Sequence, residues 1–348
     1  MQGGILLEID CSKGEGGGQM VRTSVAMSTL TGKEVHLARI RENRPTNGLS
    51  RQHCTAISAV AEMTGSEAVG NTPGSRELTF KPGNGMRYSI DTDVGSAGSV
   101  SLVLQAMLLA GSKTDKPLKI NITGGTNVMW APPIDTYHQV LFPLMDRMGI
   151  KVDAEILERG FFPEGGGRVS ALLDPVKKIS PLDLPDLGEL KKIRGICFIQ
   201  NLPDWITKQL ISGCSGPFEP FGGAEIEIER TTGISKGAGL CLVAEYEKGF
   251  LGSNVITARG RSPKDAAADA ANDLIREMES GATLDVNTAD QLLPYMAMAD
   301  GDSVFSVSRI SRHLLSQMDT LETFLDVGFG VERRENVYNF TVSTEGKI

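Results

Sequence analysis

Hydrophobic and polar positions along the chain follow two alternating patterns, one with the period of a strand and one with the period of a helix. The segment GILLEID is strand-like, a helix-like stretch runs from about Gln19 to Leu30, EVHLARI is strand-like again, and RQHCTAISAVAEMTG is helix-like up to Gly65. A period of two residues indicates a strand and a period of 3.6 an amphipathic helix. Two more strand-like runs, RELTFKPG and RYSIDT, complete this first unit.

The same succession of elements returns twice. The second round contains the helix-like GSAGSVSLVLQAMLLAGS and PPIDTYHQVLFPLMDRMG and the strand-like PLKINITGG, KVDAEILERG and RVSALLDP. The third round contains TADQLLPYMAMADG, SVFSVSRI, RHLLSQMDTLETFL, DVGFGVERRE and VYNFTVST. We therefore predict an α+β fold of three units of similar size, with helices on one side of mixed sheets.

A separate set of elements interrupts the third unit. A stretch rich in proline and charge is followed by IRGICFIQ, DWITKQLISGC, GAEIEIERTTG and GLCLVAEYEKGF, and then by a helix that Ser262 caps and Gly281 ends. We predict a small inserted α/β domain over residues 183–281 and a large domain over residues 1–182 and 282–348.

Composition narrows the classes of function. Of the 348 residues, 40% are hydrophobic and 22% charged, as in a soluble globular protein. The net charge of −8 argues against a general nucleic-acid coat, but it leaves room for a local basic site. Aromatic residues make up 5% of the chain, which does not favour an extended base-stacking surface.

Cysteine spacing and the lack of long apolar runs in the sequence indicate the cellular compartment in which the protein is expected. The five cysteines are widely spaced and form no CxxC pair, which fits a reducing compartment. The most apolar run, at 100–111, is far shorter than the roughly 20 residues of a membrane span. The first residues show no pattern of a signal peptide. We expect a cytoplasmic protein that has no membrane partner.

Two similar glycine-rich segments are joined to different kinds of element. GEGGGQMVRT at 14–23 connects a strand-like run to a helix-like run, whereas PEGGGRVSAL at 163–172 connects two strand-like runs. The amides of the first loop and the positive end of its helix can bind an anion, with Arg22 one turn further on. Glu15 is a candidate metal ligand at the edge of this loop. The alternative for the first loop is a tight structural turn, and the second loop is typical of a hairpin turn.

A local excess of positive charge favours the anion-binding interpretation. Six basic residues and two acidic ones lie between Val21 and His53, which gives +4 in a chain whose net charge is −8. Arg41 and Arg44 lie in a loop of proline, asparagine and glycine that no amphipathic pattern explains, and Arg51 opens the next helix. Because the planar guanidinium group matches phosphate oxygens, these residues predict a phosphate site; the alternative is a solvated basic face.

The four histidines differ in their local settings. His36 alternates within a strand and has a structural setting, His138 lies within a helix, and His53 can be structural or can line a site. His313 comes two residues after Ser311, the predicted N-cap of a helix that begins just after a strand. A histidine at such a junction can be a nucleophile, a general base or a structural helix-end residue, and local sequence leaves the choice open.

Two other short motifs have structural interpretations. In NTADQLL, Thr288 and Gln291 have the spacing of a capping box, and Asp290 suits a helix N-terminus. GISKG at 233–237 matches GxSxG, but it lies between two strand-like runs, which predicts a hairpin loop rather than a nucleophile elbow. Walker loops and HExxH motifs do not occur in the sequence.

Seven segments occurring in one order make the combination specific. They are EGGGQMVRT, IRENRPTNGLSRQH, GSAGSVSLVLQ, GGTNVMWAPPID, RGFFPEGGG, ADQLLPYMAMADG and RHLL. With these segments the sequence closely resembles the RNA 3'-terminal phosphate cyclase family over nearly its whole length. The resemblance implies a large domain of three βαβαββ-like repeats, each similar to the C-terminal domain of a translation initiation factor, with a small inserted α/β domain.

The resemblance also implies a reaction that uses ATP and a divalent cation, Mg²⁺ or Mn²⁺. In that reaction a histidine attacks the α-phosphorus of ATP, becomes adenylylated and releases pyrophosphate. AMP then passes to the 3'-terminal phosphate of an RNA. Attack by the neighbouring 2'-hydroxyl expels AMP and leaves a 2',3'-cyclic phosphate.

Functional residues carry over from the family only at matching positions. The resemblance implies that His313 is the nucleophile and that Glu15 is the metal ligand. The residues that it implies for phosphate or RNA-end binding are Arg22, Arg41, Arg44, Arg51 and Gln52. Those that it implies for the nucleotide pocket are Gln105, Pro132, Asp290 and Gln291.

One position departs from the family pattern, and two other functions compete. Some members have an aromatic residue three positions before the aspartate of ADQ, where this chain has Asn287, so one base or ribose contact differs.

A non-catalytic cyclase-like protein acting in ribosome biogenesis is the first alternative, but such relatives lack the histidine found here at His313. The enolpyruvyl transferases, built on similar repeats, are the second.

Overall fold

The computed structural model describes residues 6–14 and 16–344. The first sheet has the strand order β1-β2-β4-β3, with β1 parallel to β2 and the other neighbours antiparallel. Its elements are β1 (Leu6–Asp10), α1 (Gly18–Thr31), β2 (Glu34–Ala38), α2 (Arg51–Thr64), β3 (Glu67–Val69) and β4 (Leu78–Lys81). Both long helices lie where the hydrophobic period predicts them, and a left-handed glycine ends each of them, at Gly32 and Gly65.

The second sheet has the order β5-β6-β8-β7. Its elements are β5 (Ser89–Asp93), α3 (Val100–Ala110), β6 (Leu118–Gly124), α4 (Ile134–Thr136), a π-helical turn (Tyr137–Leu141), α5 (Phe142–Arg147), β7 (Val152–Glu158) and β8 (Gly167–Leu173). The run RYSIDT was expected in the first unit, but as β5 it pairs in parallel with β6 of the second. The second glycine loop joins antiparallel β7 and β8, as predicted.

The interrupting segment forms a sheet of its own with the order β10-β9-β11-β12. Its elements are β9 (Leu190–Gln200), α6 (Trp205–Phe218), a 3-10 turn (Glu219–Phe221), β10 (Glu225–Thr231), β11 (Gly237–Tyr246), β12 (Phe250–Ile256) and α7 (Pro263–Ser280). Ser262 caps α7 and Gly281 ends it, as predicted. The hairpin predicted at GISKG is wrong, because β10 and β11 lie on opposite sides of β9 and do not pair with each other.

The last part of the chain forms a three-stranded sheet with the order β13-β15-β14. Its elements are α8 (Val286–Met296), β13 (Ser303–Val307), α9 (Arg312–Phe324), β14 (Gly328–Arg334) and β15 (Val337–Ser343). Asp183 forms a parallel bridge with Val304 of β13, in the position that β1 and β5 have in the first two sheets. If the bridge at Asp183 is counted as a first strand, the strands of all three sheets have the same spatial order: first, second, fourth and third along the chain.

Helices associated with different sheets pack against one another, and this packing brings distant parts of the chain together. Helix α1 packs against α2, α3 and α9, and α8 packs against α3 and α9. The packed faces are apolar, with Val21, Val25 and Leu321 buried. Residues 18–23 and 311–317 consequently meet, although nearly 300 positions separate them. Within the described part of the chain, every helix is too short or too polar to cross a membrane.

The capping box predicted at Thr288 and Gln291 is wrong. Asp285 is the N-cap of α8: its carboxylate accepts hydrogen bonds from the amide of Thr288 at 2.9 Å and from its hydroxyl at 2.7 Å. The same carboxylate accepts from the amide of Gly252 in β12 at 3.0 Å. The helix therefore begins earlier than local sequence suggests, because a tertiary hydrogen bond holds its cap in place.

Replacing Asp285 with alanine should destabilise the protein more than removal of an isolated cap. We expect Asp285→Ala to lower the free energy of unfolding by about 2–4 kcal/mol, because the Gly252 and Thr288 donors stay buried without acceptors. Ser262→Ala, which removes the exposed cap of α7, should cost about 1 kcal/mol. Chemical denaturation of both variants measures the difference, and equal losses would contradict the bridging role of Asp285.

Candidate functional site

The first glycine loop connects β1 to the N-terminus of α1. Gly16 has a φ of 61°, and the N-cap Gly17 supplies no side-chain hydrogen bond to the first turn of the helix. Amide groups at this helix end are therefore uncapped by a side chain and are directed toward the loop, which is the arrangement that binds anions. The strand, loop and helix succession agrees with the prediction for this segment.

Three neighbouring segments lie against this loop. The Asn43 side chain of the arginine-containing loop donates to the Ser12 carbonyl at 2.7 Å. A β-carbon added at Gly14 would lie 2.1 Å from the hydroxyl of Ser316 in α9, and one added at Gly18 would lie 2.0 Å from Nε2 of His53. Glycine is required at both positions because helices α2 and α9 approach the backbone so closely.

His53 has a defined tautomer beside the loop. Its Nδ1 accepts a hydrogen bond from the amide of Ser50 at 3.1 Å, so the neutral ring carries its proton on Nε2. Burial first, and then the charges of Arg22 and Arg41, lower the pKa of His53 to about 3. The ring is therefore neutral at physiological pH, and it takes part in the capping box of helix α2. The sequence left open whether His53 is structural or lines a site. In the structure it caps the helix and also lies against Gly18 of the glycine loop.

Arg22 is a buried cation in the second turn of α1. The residue is 8% exposed, and within the described residues it has no ion pair with a carboxylate. One of its terminal nitrogens donates to Oε1 of Gln105 at 3.3 Å, while its Nε is buried without a hydrogen-bond partner in this part of the chain. Burial lowers its pKa to about 10, so the guanidinium still carries its charge at neutral pH. An uncompensated buried cation of this kind fits an anionic ligand.

Arg22, Gln105 and Gln291 line one small cleft between helices α1, α3 and α8. The Gln291 amide donates to the carbonyl of Asn287 at 3.2 Å, but its Oε1 is a second buried atom for which the described residues provide no partner. Buried polar atoms without partners are rare in native proteins. Two of them around one cleft mark it as a place where a water molecule or a polar group of a ligand completes the hydrogen bonding.

His313 lies in the first turn of α9, next to the N-cap Ser311. Its Nδ1 is 2.6 Å from Oε1 of Gln19, in the first turn of α1. A carbonyl oxygen can only accept, so Nδ1 carries the proton and the lone pair of the neutral ring lies on Nε2. The residue is exposed at its surface, but partial desolvation of the ring, and then the charges of Arg22 and Arg44, lower its pKa below the usual value of 6.5.

Asp290 connects helix α8 to the start of α9. The Ser311 hydroxyl donates to Asp290 at 2.8 Å and accepts from the amide of Leu314 at 2.8 Å. Burial, opposed by this hydrogen bond and reinforced by Asp285, raises the pKa of Asp290 to about 7. Asp290 therefore fixes the N-cap from which His313 projects, and it can act as donor or acceptor at neutral pH.

The remaining predicted arginines surround the loop at different depths. Arg41 has a φ of 56°, is half-buried and donates to the Gly48 carbonyl at 3.2 Å; burial lowers its pKa. Arg44 lies in the same loop, close enough to His313 to lower the pKa of the imidazole. Arg51 is the exposed first residue of α2, and its guanidinium makes no hydrogen bond or ion pair within the described residues. These three arginines thus belong to the segment 41–51 that borders the glycine loop through Asn43.

Gln52 and Pro132 lie on the side of the site that belongs to the second sheet. Oε1 of Gln52 accepts from the amide of Ser99 at 2.7 Å. The hydroxyl of Ser101 donates to the Pro132 carbonyl at 2.6 Å, and the Ser99 and Ser101 hydroxyls are 2.7 Å apart. Two serines at the N-terminus of α3 therefore connect these predicted ligands.

Glu15, the predicted metal ligand, lies outside the described residues. Within those residues, no group of three or more histidines, cysteines, aspartates or glutamates is arranged to hold a metal ion.

A second cavity, larger than the cleft beside Arg22, has a volume of about 380 Å³ and lies between β12, α7 and the first turn of α8. Asn287, which departs from the family pattern, lines that cavity.

Sequence reasoning missed Gln19 as the partner of His313 and Ser311 as the link to Asp290. Gln19 stands directly after three glycines, and this position at the start of a helix was the one local signal. Its partner is 294 positions away, so only the packing of α1 on α9 reveals the pair.

The low pKa of His313 can be measured directly. We expect the Cε1 proton of His313 to titrate with a midpoint below 6.5, because partial desolvation and two neighbouring cations favour the uncharged ring. Arg44→Ala removes one of those cations and should raise the midpoint. Nuclear magnetic resonance titration, with the signal assigned from His313→Ala, provides the test; a midpoint above 6.5 in the parent protein would contradict the assigned environment.

Comparison with known proteins gives a consistent result. The family model described as RNA 3'-terminal phosphate cyclase matches residues 13–331. The chain is 39% identical to the RNA 3'-terminal phosphate cyclase of Methanopyrus kandleri, over 95% of this chain and 96% of that protein. It is 37% identical to the protein of that name from Nitrosospira multiformis, over 97% of both chains. The corresponding protein of Pyrobaculum neutrophilum is 36% identical over 98% of this chain and 99% of that protein.

One solved structure relates to the enolpyruvyl transferase alternative. The enolpyruvyl transferase NikO from Streptomyces tendae aligns over 100% of this chain and 51% of that one, with 9% identity and a TM-score of 0.39. A score this low supports neither a shared fold nor a shared activity.

Proposed function

Because this chain belongs to the RNA 3'-terminal phosphate cyclase family, a family of enzymes, we propose that it converts an RNA 3'-terminal phosphate into a 2',3'-cyclic phosphodiester at the expense of ATP. The observation that carries the proposal is the pairing of His313 with Gln19 beside the buried cation Arg22. A histidine nucleophile and an anion site are the two parts that adenylyl transfer requires.

The first step would be adenylylation of His313. The Nε2 lone pair attacks the α-phosphorus of ATP; the new N–P bond forms as the bond to the bridging oxygen breaks, and pyrophosphate leaves. The hydrogen bond from Nδ1 to Gln19 supports this step, because it orients the ring and stabilises the positive charge that develops on it. The lowered pKa supports it too, since the nucleophilic form predominates at neutral pH.

Arg22, Arg41, Arg44 and the amides at the start of α1 would hold the phosphates during this step. The charge of Arg22 acts in a buried setting, where its interaction with an anion is screened less than it would be in water. Mg²⁺ or Mn²⁺, with Glu15 as the expected ligand, would supply further stabilisation of the charge on the phosphate oxygens. Gln105, Pro132, Asp290 and Gln291 would line the nucleoside side of the site.

In the second and third steps, AMP would pass to RNA and then leave. An oxygen of the RNA 3'-phosphate attacks the phosphorus bound to His313, and the P–N bond breaks. The neighbouring 2'-hydroxyl then attacks the RNA phosphorus and loses its proton, and AMP departs as the leaving group. Arg51 and Gln52, at the exposed start of α2, would hold the RNA phosphate.

A product assay tests the proposal. Incubation with ATP, magnesium or manganese, and a 3'-phosphorylated oligoribonucleotide should yield an end that phosphatase cannot remove and that acid converts to a mixture of 2'- and 3'-phosphates. A 3'-hydroxyl oligonucleotide is the matched control and should not react. An unchanged 3'-phosphate with every metal and nucleotide tried would favour the non-catalytic alternative in ribosome biogenesis.

We further propose the domain organisation that the family implies. Shared strand order in three sheets supports three βαβαββ-like repeats, with the bridge at Asp183 standing for the first strand of the last repeat. The separate sheet of β9–β12 supports an inserted domain over 183–281 within a large domain of 1–182 and 282–348. We expect the enzyme to act in the cytoplasm, where thiols remain reduced.

A further inference from the structure

Two aromatic side chains stand out from a chain that buries most of its large apolar residues. Trp130 is 93% exposed and Phe162 is 75% exposed. Trp130 also has a φ of 67°, a left-handed conformation that is unfavourable for a bulky residue. Packing therefore explains neither the exposure nor the backbone conformation of this tryptophan, and an exposed apolar group of this size is typical of a binding surface.

The two aromatic residues lie on loops that are hydrogen-bonded to each other. The Gly160 carbonyl, two residues before Phe162, accepts from the amides of Thr126 and Asn127 at 2.9 and 3.1 Å, shortly before Trp130. In return, the Gly160 amide donates to the hydroxyl of Thr126 at 2.9 Å. The two exposed rings therefore project from one joined pair of loops.

An ion-pair network around the buried Arg159 links this pair of loops to each other and to Glu229 of β10. The Arg159 guanidinium, 1% exposed, donates to Asp135 at 2.7 and 2.9 Å, to Glu229 at 2.7 and 2.8 Å, and to Asn127 at 3.0 Å. Burial alone would lower the pKa of Arg159, but the hydrogen bonds to Glu229 and Asp135 outweigh it and raise the pKa. A rigid support reduces the entropy that the exposed rings would lose on binding a ligand.

The same loops continue directly into the site. Pro132, two residues after Trp130, is bound through Ser101 to Ser99, and Ser99 donates to Gln52. On the other side, Ile234 is 75% exposed, and a β-carbon added at Gly166 would lie 3.2 Å from it. Lys236 beside it is exposed and has no ion pair within the described residues. The loop of Trp130 is thus connected through Ser101 and Ser99 to the proposed RNA-end ligand Gln52. The loop of Phe162 is hydrogen-bonded to Ser235, which neighbours the exposed Lys236.

We propose that Trp130 and Phe162 form a stacking platform for the RNA bases that immediately precede the 3'-phosphate. The proposal rests on the proposed cyclase function. Single-stranded RNA is the occupant that fits, because unpaired bases stack on aromatic rings without sequence preference and the adjacent arginines match the RNA backbone. Two rings suffice for a terminal dinucleotide, which is compatible with the low aromatic content of the chain.

Tryptophan fluorescence tests the contact independently of catalysis. The chain has two tryptophans, and Trp205 lies at the start of α6 in the inserted segment, so W205F leaves Trp130 as the single reporter and W130F leaves Trp205. Titration of W205F with a 3'-phosphorylated decanucleotide should quench the fluorescence, whereas W130F should show no change. Unchanged fluorescence of W205F at RNA concentrations that saturate cyclisation would overturn the proposal.

Kinetics of the alanine variants supply the second test. W130A and F162A should each raise the KM for the decanucleotide roughly 5- to 150-fold, with adenylylation in the absence of RNA unchanged. W130F should recover most of the affinity, and W205A is the matched control that should have no effect. A parent enzyme that fails to cyclise RNA would refute the proposed function itself; a parent that cyclises RNA and variants with unchanged KM would refute the platform alone.

The platform variants also separate RNA from a second protein copy as the occupant. If W130A combined with F162A retains the KM of the parent but sediments with a smaller mass, the rings form an interface between copies and the RNA proposal is wrong. If KM rises and the sedimented mass is unchanged, the platform binds RNA.

Discussion

Replacing His313 with alanine should abolish covalent attachment of AMP to the protein. In a reaction with ATP labelled at the α-phosphate, magnesium and no RNA, the parent protein should acquire label that is stable to alkali and labile to acid, as expected of a phosphoramidate. We expect His313→Ala to reduce the rate of labelling at least about 10⁴-fold, because no other group can take the place of the nucleophile.

His36→Ala is the matched control for this experiment. His36 lies in β2, and its Nδ1 is hydrogen-bonded to the hydroxyl of Thr79 in β4 at 3.0 Å, so its ring is engaged within the first sheet. The control should label like the parent protein. Label retained in His313→Ala would place the nucleophile elsewhere, and absence of label in a folded parent with either metal would favour the non-catalytic relative.

Replacing Arg22 with methionine should raise stability while it removes activity. The side chain is buried and has no carboxylate partner within the described residues. Its lowered pKa means that burial of the charged form costs free energy of folding. Methionine fills a similar volume without a charge, so we expect the free energy of unfolding to rise by about 1–3 kcal/mol. The rate of adenylylation should fall roughly 10²- to 10³-fold, as for the loss of one group that stabilises developing charge.

A rise in the free energy of unfolding together with a loss of adenylylation would show that the variant is inactive although it is folded. Arg147→Met is the control: Arg147 is an exposed residue of α5, bonded to the Lys248 carbonyl, and its replacement should change neither quantity. Thermal unfolding and single-turnover labelling provide the two measurements. An Arg22→Met protein that is less stable than the parent, with labelling reduced only in proportion to the folded fraction, would show that Arg22 has a structural role.

Much of the secondary structure could be predicted because its signals are local. Helices α1, α2 and α7 are predicted from hydrophobic period and from capping residues within a few positions of their ends. Errors arose where a distant partner decides the outcome. Asp285 caps α8 by accepting hydrogen bonds from Thr288, and the amide of Gly252 in β12 holds its carboxylate in place. The GISKG segment connects β10 to β11 across β9, because these two strands pair with opposite sides of β9.

By itself, the sequence determined the α+β character, the order of the elements, the local excess of arginine and the resemblance that identifies the family. Tertiary structure decided which of these residues meet: the packing of α1 against α9 pairs Gln19 with His313, and the packing of α3 against both α1 and α8 brings Arg22, Gln105 and Gln291 to one cleft. The physical reason is that the charge state, tautomer and exposure of a side chain depend on atoms contributed by distant segments. Local period and spacing carry no information on those contacts.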